Sequence, residues 1–405
     1  MNNIMFLARL LVLFSLVCIS CAHSSFEQKQ LKHALDFATS NRLELEILLQ
    51  HYTYDSLKLE AAKFLIRNMP HCYSYQQGGE MDSVKRVRTY YSPFGQIDQT
   101  YARRWGHYTY RNLPKIYDAH IITAEYLIDN IDRAFDNWQK RPWNRSLSFE
   151  DFCEYLLPYR IGDEPLEEWR ELYEKKYGYL LDSIYKGSDV VEAANLVSRH
   201  LQEPVFIYCE DFELPHIGPR YLFSHRYGSC VDAADIVTYA FRAVGIPCME
   251  DTDARGGHVW NVVRDTTGRD VPIWYIASEA VRGSRDTGGY KRGKVYRPMY
   301  GFQEEKAAHL GDDWKSMPLL FYHPYMKDVS YAYYPDTLRI LTGIPDDEVC
   351  YLAHFHEAHW WSCACARSAS GKMEIPNLES ELVYLPMKYT LSLIHISEPT
   401  RPEPI

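Results

Sequence analysis

Gly228-Ser229-Cys230-Val231-Asp232-Ala233-Ala234-Asp235-Ile236-Val237-Thr238-Tyr239-Ala240-Phe241-Arg242-Ala243-Val244-Gly245-Ile246-Pro247 is the stretch whose reading decides the fold. Ala233, Ala234, Val237, Ala240, Phe241 and Val244 recur at three- and four-residue spacing and form one apolar face of a helix. Gly245 and Pro247 stop that helix. Ser229 is placed to cap its start, and Asp232 stands where a capping box puts its acid. Cys230 therefore falls on the first turn. Free amides and the helix dipole favour negative charge there, which suits a thiolate and an oxyanion on a substrate carbonyl.

Downstream, Gly256-Gly257-His258-Val259-Trp260-Asn261-Val262-Val263 reads as a glycine approach into a β-branched strand, with His258 at its beginning. A cysteine at a helix start, or a histidine at a strand start, is ordinarily a packed residue. The ordered combination is specific. Gly-Ser-Cys opening a helix, Arg242-Ala243-Val244-Gly245-Ile246-Pro247 closing it and Gly-His-Val-Trp-Asn following resemble the transglutaminase-like superfamily of papain-type thiol enzymes, over about residues 221–296. In that family the Cys begins the core helix, the His begins the next strand with Trp two residues later, and an acid lies on the following strand.

The resemblance implies Cys230 as nucleophile and His258 as its base, with no cofactor. An amide or ester carbonyl would be attacked, and the thioester would pass to water or to an amine. Water is the favoured acceptor on an extracellular face, with peptides, proteins or glycopeptides as substrates. The flanks, Leu65-Ile66-Arg67-Asn68-Met69-Pro70 and Phe152-Cys153-Glu154-Tyr155-Leu156-Leu157-Pro158-Tyr159-Arg160, are similar to bacterial envelope lipoproteins that carry this core between a helical part and a β-sandwich.

The third catalytic group departs from the family. Antiparallel pairing about the turn Asp265-Thr266-Thr267-Gly268-Arg269 sets His258 opposite about Ala277, on a strand expected over residues 271–277. Matching the family's Trp to Trp274 puts its acid on Ser278, where a serine stands. Glu279, on the same face as Ala277, is the expected orienting carboxylate, with Ser278 or no acid as the alternatives.

The whole chain reads as α+β. Residues 26–200 carry helical spacing, as in Leu57, Ala61, Phe64 and Leu65, and in Ala124, Leu127, Ile128, Ile131 and Ala134. The aromatics Trp138, Trp143, Phe149, Phe152, Tyr155 and Trp169 are expected in the core. Residues 201–297 form the catalytic core. After a Tyr- and Pro-rich connector, short runs over 337–342, 349–355, 360–366 and 381–389 read as an antiparallel β-sandwich within 326–390, truncated at its end. His354, His356, His359, Cys363 and Cys365 contain zinc-ligand types, but without Cys-x-x-Cys or His-Glu-x-x-His spacing they read better as a hairpin, and no metal is expected. Cys363 and Cys365, two apart on a strand and so nearly ~7 Å apart, are poorly placed for a disulfide.

At the start, an apolar run from Ile4 to Ile19, short of a membrane span, closes on Cys18-Ile19-Ser20-Cys21. It resembles a bacterial lipoprotein signal over 1–20 with Cys21 as the acylated residue, and implies a secreted protein held to the membrane by lipid. At the other end, Leu391-Ser392-Leu393-Ile394-His395-Ile396-Ser397-Glu398-Pro399-Thr400-Arg401 looks like a translated sequencing adapter, so 391–405 is set aside. The net charge of −10 argues against a nucleic-acid partner. The 33 Tyr and 9 Trp leave a non-catalytic glycan- or peptide-binding lipoprotein on the same fold as the alternative function.

Overall fold

The computed structural model describes residues 26–388 apart from 93–95, 211, 256, 277, 286–290, 304–318, 336, 344, 347 and 357, together with 403–404. The expected leader and Cys21, and nearly all of 389–405, lie outside the described residues. The chain is mixed α+β, with helices concentrated before residue 245 and several small sheets after it.

The helices that matter here are α1 (Arg42–His51), α2 (Ser56–Asn68), α3 (Glu80–Arg88), α4 (Ala124–Lys140), α5 (Arg170–Tyr179), α6 (Val190–Leu201) and α7 (Cys230–Val244). Side-chain caps set several starts: Asp55 accepts from Lys58 N, Thr123 from Tyr126 N and Asp189 from Val191 N. Apolar faces at helical spacing are buried as expected, with Ala61, Phe64 and Leu65 of α2 against Leu127, Ile131 and Phe135 of α4. Leu57 is the exception: one turn earlier on α2, it is 48% exposed. Trp143, Phe152, Tyr155 and Trp169 are buried, so the aromatic stretch is core.

Helix α7 is surrounded. Fourteen of its side chains, from Cys230 to Val244, are buried, packed on α5, on α6 and on one face of a sheet. That sheet is antiparallel, five-stranded and ordered β5-β4-β3-β6-β7, where β3 is Cys248–Asp253, β4 Val259–Arg264, β5 Asp270–Ile273, β6 Val295–Pro298 and β7 Met326–Asp328. The fifth strand, Met326–Asp328, lies past the boundary expected at 297, at the start of the segment 326–390 expected to form the β-sandwich, and it joins the core sheet instead. A two-stranded parallel pair, β1 (Ile207–Tyr208) with β2 (Tyr227–Gly228), leads into α7.

The C-terminal part holds β8 (Leu338–Thr342), β9 (Val349–His356), β10 (His359–Arg367), β11 (Lys372–Pro376) and β12 (Tyr384–Lys388). β8 pairs with β11, which the sequence pattern did not reveal, and β9 pairs with both β10 and β12. The expected hairpin is present, with His356 opposite His359 and a bulge beside Leu352 and Ala353. No disulfide joins the described cysteines, Cys363 and Cys365 among them. No helix among the described residues is long and apolar enough to cross a membrane.

The C-terminus of α7 shows how tightly the helix is fixed. Gly245 takes φ +82°, ψ 29°, and Ile246 N donates to Phe241 O at 2.9 Å, the αL termination expected of a glycine. The carbonyls left over are met by the N-terminal region: Asn137 donates to Ala243 O at 3.1 Å, Arg141 to Val244 O at 2.8 Å, and Trp143 Nε1 to Gly245 O at 2.9 Å. A Cβ at residue 245 would lie 2.8 Å from the Asn137 carbonyl. Gly245→Ala is therefore expected to destabilise the protein by about 1–3 kcal/mol, read as a lowered midpoint in chemical denaturation.

Candidate active site

Asp232 closes the capping box at the start of α7, accepting from Ser229 N at 2.8 Å. The capping residue runs in an extended conformation and Gly228 lies directly against Asp232, where a Cβ would sit 2.3 Å from the Asp232 side chain. Only glycine permits that approach. The carboxylate is buried, and Arg88 of α3 neutralises it at 2.8 Å while donating also to Phe212 O at 3.0 Å. A cation 144 residues upstream thus holds the acid two residues from Cys230.

The Cys230 thiol is 5% exposed, and its sulfur lies 4.0 Å from the carbonyl oxygen of Gly257. The amides of Val259 and Val231 also point to it. The sulfur thus sits against the backbone on both sides of His258, so the structure brings together the first turn of α7 and the first residues of β4.

Both partners of that contact are pinned. Asn261 Nδ2 donates to Ala234 O at 3.0 Å and to Thr238 Oγ1 at 2.9 Å, joining β4 to α7. Thr238 in turn donates to Glu250 on β3 at 2.7 Å. The carbonyl of His258 accepts from Asp253 N at 3.2 Å and Thr252 Oγ1 at 3.0 Å, and Asp253 Oδ1 accepts from Gly257 N at 2.8 Å. The His258 ring is enclosed by aromatics, 4.6 Å from Trp274 edge-on and 5.6 Å from Trp260. Trp260 is held in place by Tyr333, which accepts from its Nε1 at 2.8 Å and donates to Asp251 at 2.7 Å.

Burial pushes the Cys230 thiol above its ordinary pKa, and the charge of Glu210 pushes it further. The amide of Val259, the Tyr208 hydroxyl and the amide of Val231 pull it back without cancelling that rise. The helix-start effect expected from the sequence is present, but desolvation outweighs it.

The ladder expected to carry the third catalytic residue is short, and its register is shifted by one residue. Asn261 pairs with Ile273, so by extrapolation His258 stands opposite residue 276 rather than 277. β5 ends at Ile273, where Ser278 N donates to Trp274 O at 2.7 Å and turns the chain back. The segment then runs to α6, where Asn195 donates to Ala280 O at 2.9 Å and accepts from Ala280 N at 2.8 Å. Glu279 consequently faces Arg199 at 2.6 Å, with both side chains about half exposed (54% and 53%). Ala277 lies outside the described residues.

Tyr208, Glu210 and Arg88 were not legible as site residues, because each arrives by a contact distant in sequence, whereas Trp274, already matched to the family's Trp, proves to wall the His258 ring. Among the described residues, no three His, Cys, Asp or Glu side chains converge as a metal site would require. Comparison of the chain with protein-family models, curated proteins and solved structures returns no match.

Removing Arg88 isolates a buried charge. Arg88→Leu is expected to cost about 3–5 kcal/mol in equilibrium denaturation, and adding Asp232→Asn to recover part of that loss. Equal stability of the single and double variants would show that the pair carries no such coupling.

Proposed function

We propose that this chain is a thiol-dependent amide-bond hydrolase or acyltransferase built on a transglutaminase-like, papain-type core, with the C-terminal strands as part of a β-sandwich. The observation that carries the reading is the sulfur of Cys230, at the start of a capped helix, packed against the backbone that flanks His258. In this scheme His258 takes the thiol proton as the sulfur adds to a substrate carbonyl. The C=O electrons move to oxygen and return as the amine leaves with the proton from His258. Water, taken as the favoured acceptor, then cleaves the thioester, with His258 again accepting a proton. Peptides or glycopeptides of the cell envelope are the proposed substrates.

A thiol held protonated by burial suits a base that acts when the carbonyl arrives. It also lends support to a second reading, a non-catalytic binding lipoprotein in which the thiol is inert. Mass-spectrometric assay against peptide and glycopeptide mixtures, with and without an added primary amine, separates the two. Cys230→Ala is expected to abolish turnover with an unchanged circular dichroism spectrum, and His258→Gln to slow acylation by several orders of magnitude. Glu279→Gln, whose carboxylate is engaged by Arg199, is expected to lose less than tenfold. Turnover by Cys230→Ala removes the thiol mechanism, and a hundredfold loss in Glu279→Gln gives that residue the orienting role.

The leader reading completes the proposal with a lipid anchor at Cys21. Cys21→Ser is expected to move the protein from membranes to the soluble envelope fraction, and continued membrane association would point to another form of attachment.

A further inference from the structure

The chain stays extended for a short way past β1, and its side chains alternate there. Cys209 points inward to Val84, Val87, Tyr91 and Phe212, whereas Tyr208 and Glu210 face outward on either side of it. Parallel pairing sets Tyr208 opposite Gly228, two residues before Cys230, with Cys209 N donating to Gly228 O at 2.8 Å. The Tyr208 hydroxyl donates to the Glu210 carboxylate, and it lies near enough to the Cys230 thiol for each group to act on the other's ionisation. With 37% of its surface exposed, it is open to a ligand approaching the sulfur.

We infer that Tyr208 is the side-chain donor of the oxyanion hole, held in reserve by Glu210 until a substrate carbonyl reaches Cys230. This rests on the thiol-enzyme reading and adds the group that reading lacks, a side chain able to meet the developing negative oxygen. A phenol has one proton. In the empty site that proton goes to Glu210, while the thiol faces the Gly257 carbonyl. When sulfur adds to carbon, the thiol proton has passed to His258 and a full negative charge appears on oxygen. The Tyr208 proton then has a stronger acceptor beside it than the solvated carboxylate of Glu210. Burial, the hydrogen bond to Glu210 and the charge of Cys230 all raise the Tyr208 hydroxyl above its ordinary pKa, so it remains a donor throughout the neutral range.

Two reagents separate this role from simple positioning of the thiol. Iodoacetamide alkylates a thiolate without forming an oxyanion, whereas a p-nitrophenyl ester acylates it through one. Both rates are followed as adducts on Cys230 by mass, above the thiol titration, with Cys230→Ala as background. Tyr208→Phe is expected to slow acylation by about 10²–10³-fold while alkylation changes by less than about threefold. Glu210→Gln removes a charge that raises the thiol pKa and frees the Tyr208 proton. Its alkylation profile is expected to shift to lower pH, with acylation retained. Parallel losses in both reactions of Tyr208→Phe, or no loss in either, overturn the oxyanion role while leaving Cys230 as nucleophile. A wild-type Cys230 that reacts with neither reagent removes the thiol-enzyme reading itself, and the role of Tyr208 with it.

Discussion

Both ends of α7 are held by side chains from the N-terminal region, and the site depends on that arrangement. A helix leaves unsatisfied amides at its start and unsatisfied carbonyls at its end, and burying either without partners costs about 1–3 kcal/mol per group. Here the start is closed by Asp232 with Arg88 behind it, and the end by Asn137, Arg141 and Trp143. The N-terminal helices therefore clamp the segment that carries Cys230. Asn261 then fixes β4 against the same helix, so the position of His258 follows from the same set of contacts.

A second system of buried charge ties the sheet to the flanking segment 152–160. Asp251 on β3 meets Arg297 on β6 at 2.6 Å, and Arg297 meets Asp270 on β5 at 2.7 Å, where Tyr155 also donates at 2.9 Å. Glu154 accepts from Tyr300 N at 2.9 Å and Gly301 N at 3.1 Å, and Arg160 pairs with Asp118. Such pairs need not add net stability over apolar packing, because desolvation offsets much of their attraction. Removing one partner of such a pair is costly all the same, because it leaves a buried charge uncompensated. Through Tyr333, the Asp251 network reaches the indole of Trp260 and hence one side of the His258 pocket.

What the sequence revealed was local. The span of α7, the capping box, the αL glycine and the hairpin between β9 and β10 are each written within a few residues, as spacing or as turn chemistry. What it concealed was long-range. Arg88 looks like any basic residue near the end of a surface helix, and nothing near it signals Asp232. Tyr208 lies on a two-residue strand and Glu210 just past its end, a stretch too short for alternation to be read from the sequence. The end of β5 escaped notice because Trp274, Tyr275 and Ile276 continue an apolar, β-favouring run. The chain nevertheless leaves the ladder there to meet Asn195 on α6, and tertiary packing overrides propensity.

The thiol itself shows which physical effect wins at this site. A helix start offers the sulfur amides and a partial positive charge, each a modest effect that weakens within a turn. Burial against the Gly257 backbone and the core beneath α7 strips water from the same sulfur, and the desolvation of a charged group outweighs that attraction. Wet, the helix start would hold a standing thiolate. Dry, it holds a thiol whose ionisation awaits a neighbour that can take the proton and a carbonyl that can take the charge. On the thiol-enzyme reading this division protects the nucleophile from idle alkylation and oxidation, because the reactive form arises only with substrate in place.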